Sequence, residues 1–329
     1  MIRHAGALLG VLLGMLSSAN AWEALDRLPE SAWRFQLELQ HTPTYSEAFN
    51  RYGERVPLQD LLLLEEGLEG MLSGEIRRTE TRLELQLDQG LGDRWSWGLR
   101  VPVVSSRQSA SLEVESGTTA QVEQATQVEQ ATRSETLSGL GDVTASFAKV
   151  LNQTLKSNVF GGFQLTLPTG KADSARGMYA QALGDGQMDV GAFLQSDWMP
   201  FVPGWRNIIR GEITNQLAGR RKNLAGEEVL YAPGTRVQAA YGWTWERRNW
   251  IAGANLRHTL QQTATLGVSQ NNPMVLQELS VLVGYGNLSD LEQNPITHPE
   301  QFRLEWTTPI RGENAPARQH LALSWLGFF

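Results

Sequence analysis

Residues 320–329 read His-Leu-Ala-Leu-Ser-Trp-Leu-Gly-Phe-Phe, and their character alternates along the chain. Leu321, Leu323, Trp325 and Phe329 share one face if the segment is extended, because successive side chains of a strand point to opposite sides. His320 then lies on the other face with Ser324 and Phe328. The alternation predicts a β-strand with one apolar face.

The last residue on that apolar face is the aromatic Phe329. This arrangement resembles the closing strand of bacterial outer-membrane β-barrels, which their assembly machinery recognises. Leu321, Leu323, Trp325 and Phe329 are therefore a candidate assembly signal. Soluble proteins can also end in a hydrophobic strand, so the alternative of an exported soluble β-sandwich stays open here.

The first 21 residues have the organisation of a signal peptide. A short basic start is followed by the apolar run Ala5 to Leu16 and then by Ala19-Asn20-Ala21, which fits a small-residue cleavage rule. The apolar run is shorter than the roughly 20 residues that a membrane-spanning helix needs. We expect residues 1–21 to be removed and residues 22–329 to form the exported protein.

The composition narrows the class of protein. The chain has no cysteine, which excludes a disulfide-held scaffold. No other apolar stretch reaches helical spanning length, and the mean hydropathy is −0.30. A closed barrel can still cross a membrane, because only alternate residues face lipid and every backbone group is paired. With 28 Lys and Arg against 35 Asp and Glu, nothing suggests nucleic acid as a partner.

The same alternation recurs along the chain. One example is Leu83, Leu85 and Leu87, which interleave with charged or amide side chains from Arg82 onward. If this segment slipped by one residue, Arg82 would face lipid at a cost of about 2–4 kcal/mol near the bilayer midplane. The polar set must therefore point inward.

Counting these segments predicts an all-β fold: a transmembrane, antiparallel, up-and-down β-barrel of about twelve strands. The even number places both termini on the periplasmic side, with outer loops near 44–77, 106–138, 169–186 and 218–234. Ten or fourteen strands remain alternatives. The predicted strands are 33–43, 78–90, 94–105, 139–151, 157–168, 187–198, 205–217, 235–246, 249–261, 275–286, 301–311 and 317–329.

Three further features of the sequence concern the loops and the ends of the strands. Leucines near helical spacing in residues 58–72 predict a short amphipathic helix, either on the rim or in the pore. Residues 121–126 and 127–132 repeat one hexapeptide, which indicates a surface loop without chemistry. Most tryptophans lie near the ends of predicted strands, where interfacial aromatic girdles form.

We find no pattern of residues that predicts an enzyme. The histidines after the signal peptide, His41, His258, His298 and His320, lie in no Ser-linked motif and lack metal-ligand spacing with carboxylates. We expect no catalytic residues, no cofactor and no metal.

Three short motifs carry a family resemblance. Residues 139–143 (GLGDV) begin a predicted strand, residues 165–171 (LTLPTGK) end the next, and residues 184–191 (GDGQMDVG) begin a third. They resemble the outer-membrane transporter family named for the MetA pathway of phenol degradation, over roughly residues 80–329. The resemblance implies a barrel that moves small, often hydrophobic or aromatic compounds. The family supplies no agreed catalytic residues.

The sequence thus predicts a non-enzymatic barrel of the Gram-negative outer membrane. Its partners would be outer-membrane lipid, the barrel assembly machinery and a small-molecule solute. Two functions remain: a transporter or channel, or a structural or assembly barrel whose inward charges pair and plug the lumen. Candidate lumen-lining residues alternate with the apolar set: Arg34, Glu38, Arg82, Glu84, Arg100, Arg210, Glu212, Arg303 and Glu305.

Overall fold

Strands make up most of the part of the chain that the structure describes. The computed structural model describes residues 30–60, 72–92, 94–114, 133–154, 156–170, 187–200, 204–222, 228–247, 249–262, 265–266, 269–270, 273–286 and 300–328. Their strands are β1 (Trp33–Tyr45), β2 (Glu47–Phe49), β3 (Arg55–Pro57), β4 (Leu72–Leu91), β5 (Trp95–Val114), β6 (Arg133–Leu140), β7 (Val143–Gln153), β8 (Ser157–Leu167), β9 (Asp189–Trp198), β10 (Trp205–Gln216), β11 (Gly219–Lys222), β12 (Glu228–Ala232), β13 (Gly234–Arg247), β14 (Trp250–Gln261), β15 (Thr265–Leu266), β16 (Ser269–Gln270), β17 (Met274–Gly286), β18 (Glu300–Glu313), β19 (Ala315–Pro316) and β20 (His320–Phe328).

Twelve of these strands form one closed antiparallel sheet. Its order is β1, β4, β5, β7, β8, β9, β10, β13, β14, β17, β18 and β20. The ring closes where β1 pairs with β20, from Arg34 opposite Phe328 to His41 opposite Leu321. The predicted all-β barrel of twelve antiparallel strands is therefore confirmed, and the alternatives of ten or fourteen strands are wrong.

The remaining strands belong to connections at one end, which we call the loop end. The β2, β3 and β19 strands form a small sheet over a cluster of Phe49, Leu276, Ala315 and Ala317, while β11, β12, β15 and β16 form another. The opposite end, the turn end, carries the short connections at 92–94, 154–156 and 248–249.

The predicted helix can be followed only at its start. Residues 58–60 are helical, and residues 61–71 lie outside the described residues. No helix in the described part of the chain is long and apolar enough to cross a membrane.

The largest departures from the predicted bounds are at β4, β5 and β6. Both β4 and β5 are 20 residues long and extend, with β6, into segments predicted as loops. Their outward residues there are polar, as at Glu75, Arg77 and Arg107, so no apolar alternation marked these segments as strand. In addition, Gly141 and Asp142 divide the predicted strand 139–151 into β6 and β7.

A belt of exposed apolar side chains surrounds the barrel. Outward residues are exposed along the strands, for example Phe163 at 69%, Leu194 at 53% and Leu323 at 52%. A sandwich would bury such residues between two sheets, whereas this single closed sheet leaves them outside. The soluble β-sandwich is therefore wrong, and hydrocarbon is the environment that matches this surface.

The belt has a different border at each end. Nine of the ten tryptophans in the described residues lie within five residues of the turn end of their strands. Trp205 stacks on Trp243 with ring centroids 4.9 Å apart, and Trp250 meets Tyr285 edge to face. The aromatic girdle predicted for strand ends is thus found at the turn end.

At the loop end the belt changes from apolar to polar between two successive outward rows of residues. Leu39, Leu83, Val103 and Leu140 form one outward row across β1, β4, β5 and β6. The next row is His41, Thr81, Ser105 and Ser138, in which His41 bonds Thr81 at 3.0 Å and Ser105 bonds Ser138 at 2.8 Å. These polar residues mark the border on this side of the barrel.

Leu85 lies at the middle of the belt, with Leu37 and Val101 opposite it. We expect Leu85→Arg to lower the free energy of unfolding in lipid by about 2–4 kcal/mol, because the charge would lie in hydrocarbon. Ser105→Arg, at the polar border, should cost no more than about 1 kcal/mol. Urea titration of the protein folded in phosphatidylcholine vesicles measures both, and equal losses would contradict this placement of the belt.

Candidate functional site: the inner wall of the barrel

The inner wall is formed by the residues that alternate with the belt. On β1, Arg34 is 4% exposed and Glu38 is 9% exposed, while Leu37 and Leu39 between and beyond them are exposed. The same alternation places all nine candidate lining residues on inward positions. Arg34, Glu38, Arg210 and Glu212 are buried there, and Arg82, Glu84, Arg100, Arg303 and Glu305 are half-buried.

Arg34 is held by a carboxylate on the neighbouring strand. Its Nε and Nη2 donate to Oδ2 of Asp88 at 3.0 and 2.9 Å, and Gln86 donates to the same oxygen at 2.9 Å. Gly98 on β5 makes room for this group, since a Cβ there would collide with the Asp88 carboxylate. Two neighbouring strands thus build one buried ion pair.

Glu84 lies between two arginines. Its Oε2 is 2.6 Å from Nη2 of Arg82, and its Oε1 is 2.9 Å from Nε of Arg100 on β5. Opposite charges on adjacent strands therefore meet, as the mixed signs of the candidate residues suggested.

A third group of polar side chains connects β8 and β10 across the strand between them, β9. Gln164 on β8 donates to Oε1 of Glu212 on β10 at 2.5 Å, and Glu212 also pairs with Arg210 at 3.1 Å. Gly191 lies between them on β9, where a Cβ would come within 2.7 Å of the Gln164 side chain. The absence of a side chain at this position lets strands that are not neighbours exchange a hydrogen bond.

Sequence reasoning missed part of the inner wall. Asp88, Arg257 and Glu278 are buried inward residues that were not among the candidates, and Arg257 pairs with Glu278 at 3.2 Å. Their signal was the same period-two pattern in segments 78–90, 249–261 and 275–286. The inner apolar residues Ile208, Ile251 and Leu282 were also missed, because adjacent apolar residues such as Ile208-Ile209 blur the alternation.

Two of the three family-like motifs touch each other at the loop end of β7 and β8. The Thr169 hydroxyl donates to the carbonyl of Gly141 at 2.8 Å and accepts from the amide of Val143 at 2.9 Å. The Asp142 carboxylate accepts from the amide of Gly170 at 2.9 Å. These motifs therefore fasten the chain where β6 leaves the barrel wall.

The candidate assembly signal lies on the outward face of β20. Leu321 and Leu323 are exposed, Trp325 contacts Phe35 at 5.5 Å between ring centroids, and Phe329 lies outside the described residues. No group of three or more His, Cys, Asp or Glu that could hold a metal occurs in the described ranges.

The Arg34 and Asp88 pair gives a test of the wall. Asp88→Asn should lower the free energy of unfolding by about 3–5 kcal/mol, because it leaves a buried guanidinium without its counter-charge. The exposed pair of Arg55 and Glu47, also 2.9 Å apart, is the control. Glu47→Gln should cost at most about 1 kcal/mol. Urea titration in vesicles compares them, and a small loss for Asp88→Asn would show that the pair is not desolvated.

Comparisons with known proteins support this architecture. No family model and no curated protein matches the chain. Among solved structures, an outer membrane channel from Pseudomonas putida F1 has a TM-score of 0.66 at 16% identity, over 93% of this chain and 99% of that chain. The CymD monoaromatic hydrocarbon channel has a TM-score of 0.43 at 10% identity, over 97% and 98% of the two chains.

At such low identity the first of these similarities shows the fold alone, and the second is too weak to carry an argument. The phenol-degradation family, suggested by the three motifs, gains no support from a family model. What the structure and the comparison establish together is the broader class: the chain has the fold of the outer-membrane β-barrels.

Proposed function

We propose that this protein is an outer-membrane barrel through which small solutes cross, hydrophobic or aromatic compounds among them. It is exported, loses residues 1–21, and is inserted by the barrel assembly machinery through its C-terminal strand. The turn end faces the periplasm and the loop end faces outward. Membership of the phenol-degradation transporter family is part of this proposal.

The observation that carries the proposal is the contrast between the two faces of one closed sheet. Leucines, valines and aromatic residues cover the outside, while inward positions hold arginines, carboxylates and amides. Twelve strands enclose a lumen wider than that of eight-stranded barrels, whose interiors side chains just fill. A polar interior within an apolar belt is the arrangement of barrels that conduct solutes.

The interior also supports the proposed class of solute. Its charges are largely paired within the wall, as in the Arg257 and Glu278 pair and in the Arg82, Glu84 and Arg100 group. Paired charges present little net field to an ion, so strong selection by sign is not expected. Buried inward Ile208, Ile251 and Leu282 offer an apolar surface instead. The Pseudomonas putida protein of the same fold is described as a channel, which agrees with this reasoning by analogy.

A second candidate function is a structural or assembly barrel with a plugged lumen. It is favoured by the burial of inward residues such as Gln195, Ser280 and Thr307, each 0% exposed. Side chains this inaccessible do not line a wide water-filled pore. The two candidates therefore differ in whether solutes pass, and both agree with the fold.

Electrophysiology of the purified protein in planar bilayers separates them. We expect small, discrete conductance steps, together with protein-dependent uptake of toluene by cells that express the barrel. Glu84→Gln should raise the preference for anions over cations, because Arg82 and Arg100 lose their shared carboxylate. The reversal potential across a KCl gradient measures this preference.

Glu47→Gln is the matched control, since it removes the same charge from an exposed loop-end pair and should leave the reversal potential unchanged. If neither conductance nor protein-dependent toluene uptake is observed, passage is overturned in favour of the plugged barrel.

A further inference from the structure

The inner face of β14 carries buried polar atoms that lack hydrogen-bond partners. Asn255 is 1% exposed and Arg257 is 7% exposed, whereas Leu256 between them is 48% exposed on the outside. Within the described part of the chain, neither polar atom of the Asn255 amide has a partner, and neither do Nε and Nη2 of Arg257. Buried polar groups are nearly always paired, so these four atoms on two inward side chains call for polar partners, which a bound ligand can supply.

The orientation of Arg257 makes these donors usable. Its Nη1 donates to Oε2 of Glu278 at 3.2 Å, which holds the guanidinium from one side. The Nε and Nη2 edge that remains is a planar fork of two parallel N–H groups. This fork matches the two oxygens of a carboxylate. Arg34 uses the same two nitrogens to hold a carboxylate, although both donate to the single oxygen Oδ2 of Asp88.

The neighbours of these two side chains are small on one side. Ala240 and Gly242 on β13 lie directly opposite Arg257 and Asn255. Apolar inward residues lie nearby among polar ones such as Asp197 and Glu305. Ile208 lies in the same row as Asn255, and Leu282 lies two residues beyond Ser280 in the next strand, towards the turn end. Ile251 packs against Leu282 there. The Arg257 fork thus has apolar side chains near it on the same inner wall.

We propose that Arg257 and Asn255 form a subsite for a small hydrophobic carboxylate, with the carboxylate on the Arg257 fork and the apolar body against Ile208, Ile251 and Leu282. The Asn255 amide donates to a carboxylate oxygen, and its carbonyl oxygen accepts from a hydroxyl group of the ligand where one is present. This subsite rests on the proposed function, since a ligand reaches it only by entering the lumen.

The nearby charges favour a monoanion. Glu278 balances Arg257, and Glu80 balances Arg318, the second arginine near Glu278. A ligand with two negative charges would therefore face a carboxylate that it cannot displace without leaving that group buried and unpaired. A carboxylate with one charge satisfies the free edge of the guanidinium and leaves the ion pair intact. A phosphate dianion is therefore disfavoured.

Calorimetric titration of the full chain in uncharged detergent micelles tests the subsite. The probe is sodium benzoate at pH 8, benzyl alcohol is the uncharged analogue, and empty micelles give the background. We expect saturable binding of benzoate. Arg257→Lys should weaken it about tenfold, because lysine keeps the charge beside Glu278 but loses the two-pronged geometry. Asn255→Leu, which changes no charge, should weaken it as well.

Arg247→Lys is the matched control, because Arg247 is exposed at the turn end of β13 and should leave benzoate binding unchanged. Each variant is first checked for the heat-dependent electrophoretic mobility of a folded barrel, and Asn255→Leu carries the test alone if Arg257→Lys does not fold. The subsite is overturned if benzoate shows no saturable binding, or if Arg247→Lys weakens it as much as Arg257→Lys does.

Liposome swelling in arabinose, run on the same preparations, distinguishes this inference from the function on which it rests. Swelling without benzoate binding overturns the subsite and leaves passage intact. Benzoate binding without swelling, conductance or toluene uptake supports the subsite and overturns passage.

Discussion

The pairing of β1 with β20 is the constraint on which the rest of the barrel depends. In hydrocarbon each unpaired backbone N–H or C=O costs several kcal/mol, so a sheet crosses a membrane only if its two edges meet. Eight opposed residue pairs close the ring here, from Arg34 and Phe328 to His41 and Leu321. The β20 strand supplies this closure and part of the apolar belt at once, which explains why its outward positions Leu321, Leu323 and Trp325 are apolar. A one-residue slip at this seam would turn Leu321 and Leu323 inward and bring Ala322 and Ser324 outward.

Closure then dictates how the interior deals with charge. Inward side chains of neighbouring strands lie about 5 Å apart, so opposite charges placed across a strand pair are forced into contact. Arg34 with Asp88 and Arg257 with Glu278 are both directly opposed in the register of their strands. Pairing of this kind limits the cost of burying charge, but it also removes most of the field that could select ions. What distinguishes one part of the wall from another is therefore the donors left over after pairing and the size of the neighbouring residues.

The sequence predicted the twelve barrel strands within a few residues wherever an apolar stripe faces lipid, because that stripe has one period and one physical cause. It failed where the cause is absent. The loop-end parts of β4 and β5, around Arg77 and Arg107, are polar outside, so nothing in their pattern separates strand from loop. For the inner wall, alternation identified inward positions such as Arg210 and Glu212. It could not show which charge meets which, because partners such as Asp88 for Arg34 lie 54 residues apart in the chain, nor that Gly98 and Gly191 make those contacts possible.

The two ends of the barrel differ in how far the strands extend past the apolar belt. At the turn end several strands are joined by short connections, at 92–94, 154–156 and 248–249, and tryptophans occupy the border of the belt. At the loop end β4, β5 and β6 continue past the border row of His41, Thr81, Ser105 and Ser138. A tilted strand needs about 9–11 residues to cross the hydrocarbon, whereas β4 has 20. At about 3.3 Å per residue, β4 is roughly 65 Å long. The remaining residues of β4 must lie in water, where outward serine, threonine and arginine side chains are hydrated. Polar outward residues in the upper halves of these strands and apolar ones in the lower halves are therefore consequences of a single sheet that passes from lipid into solvent.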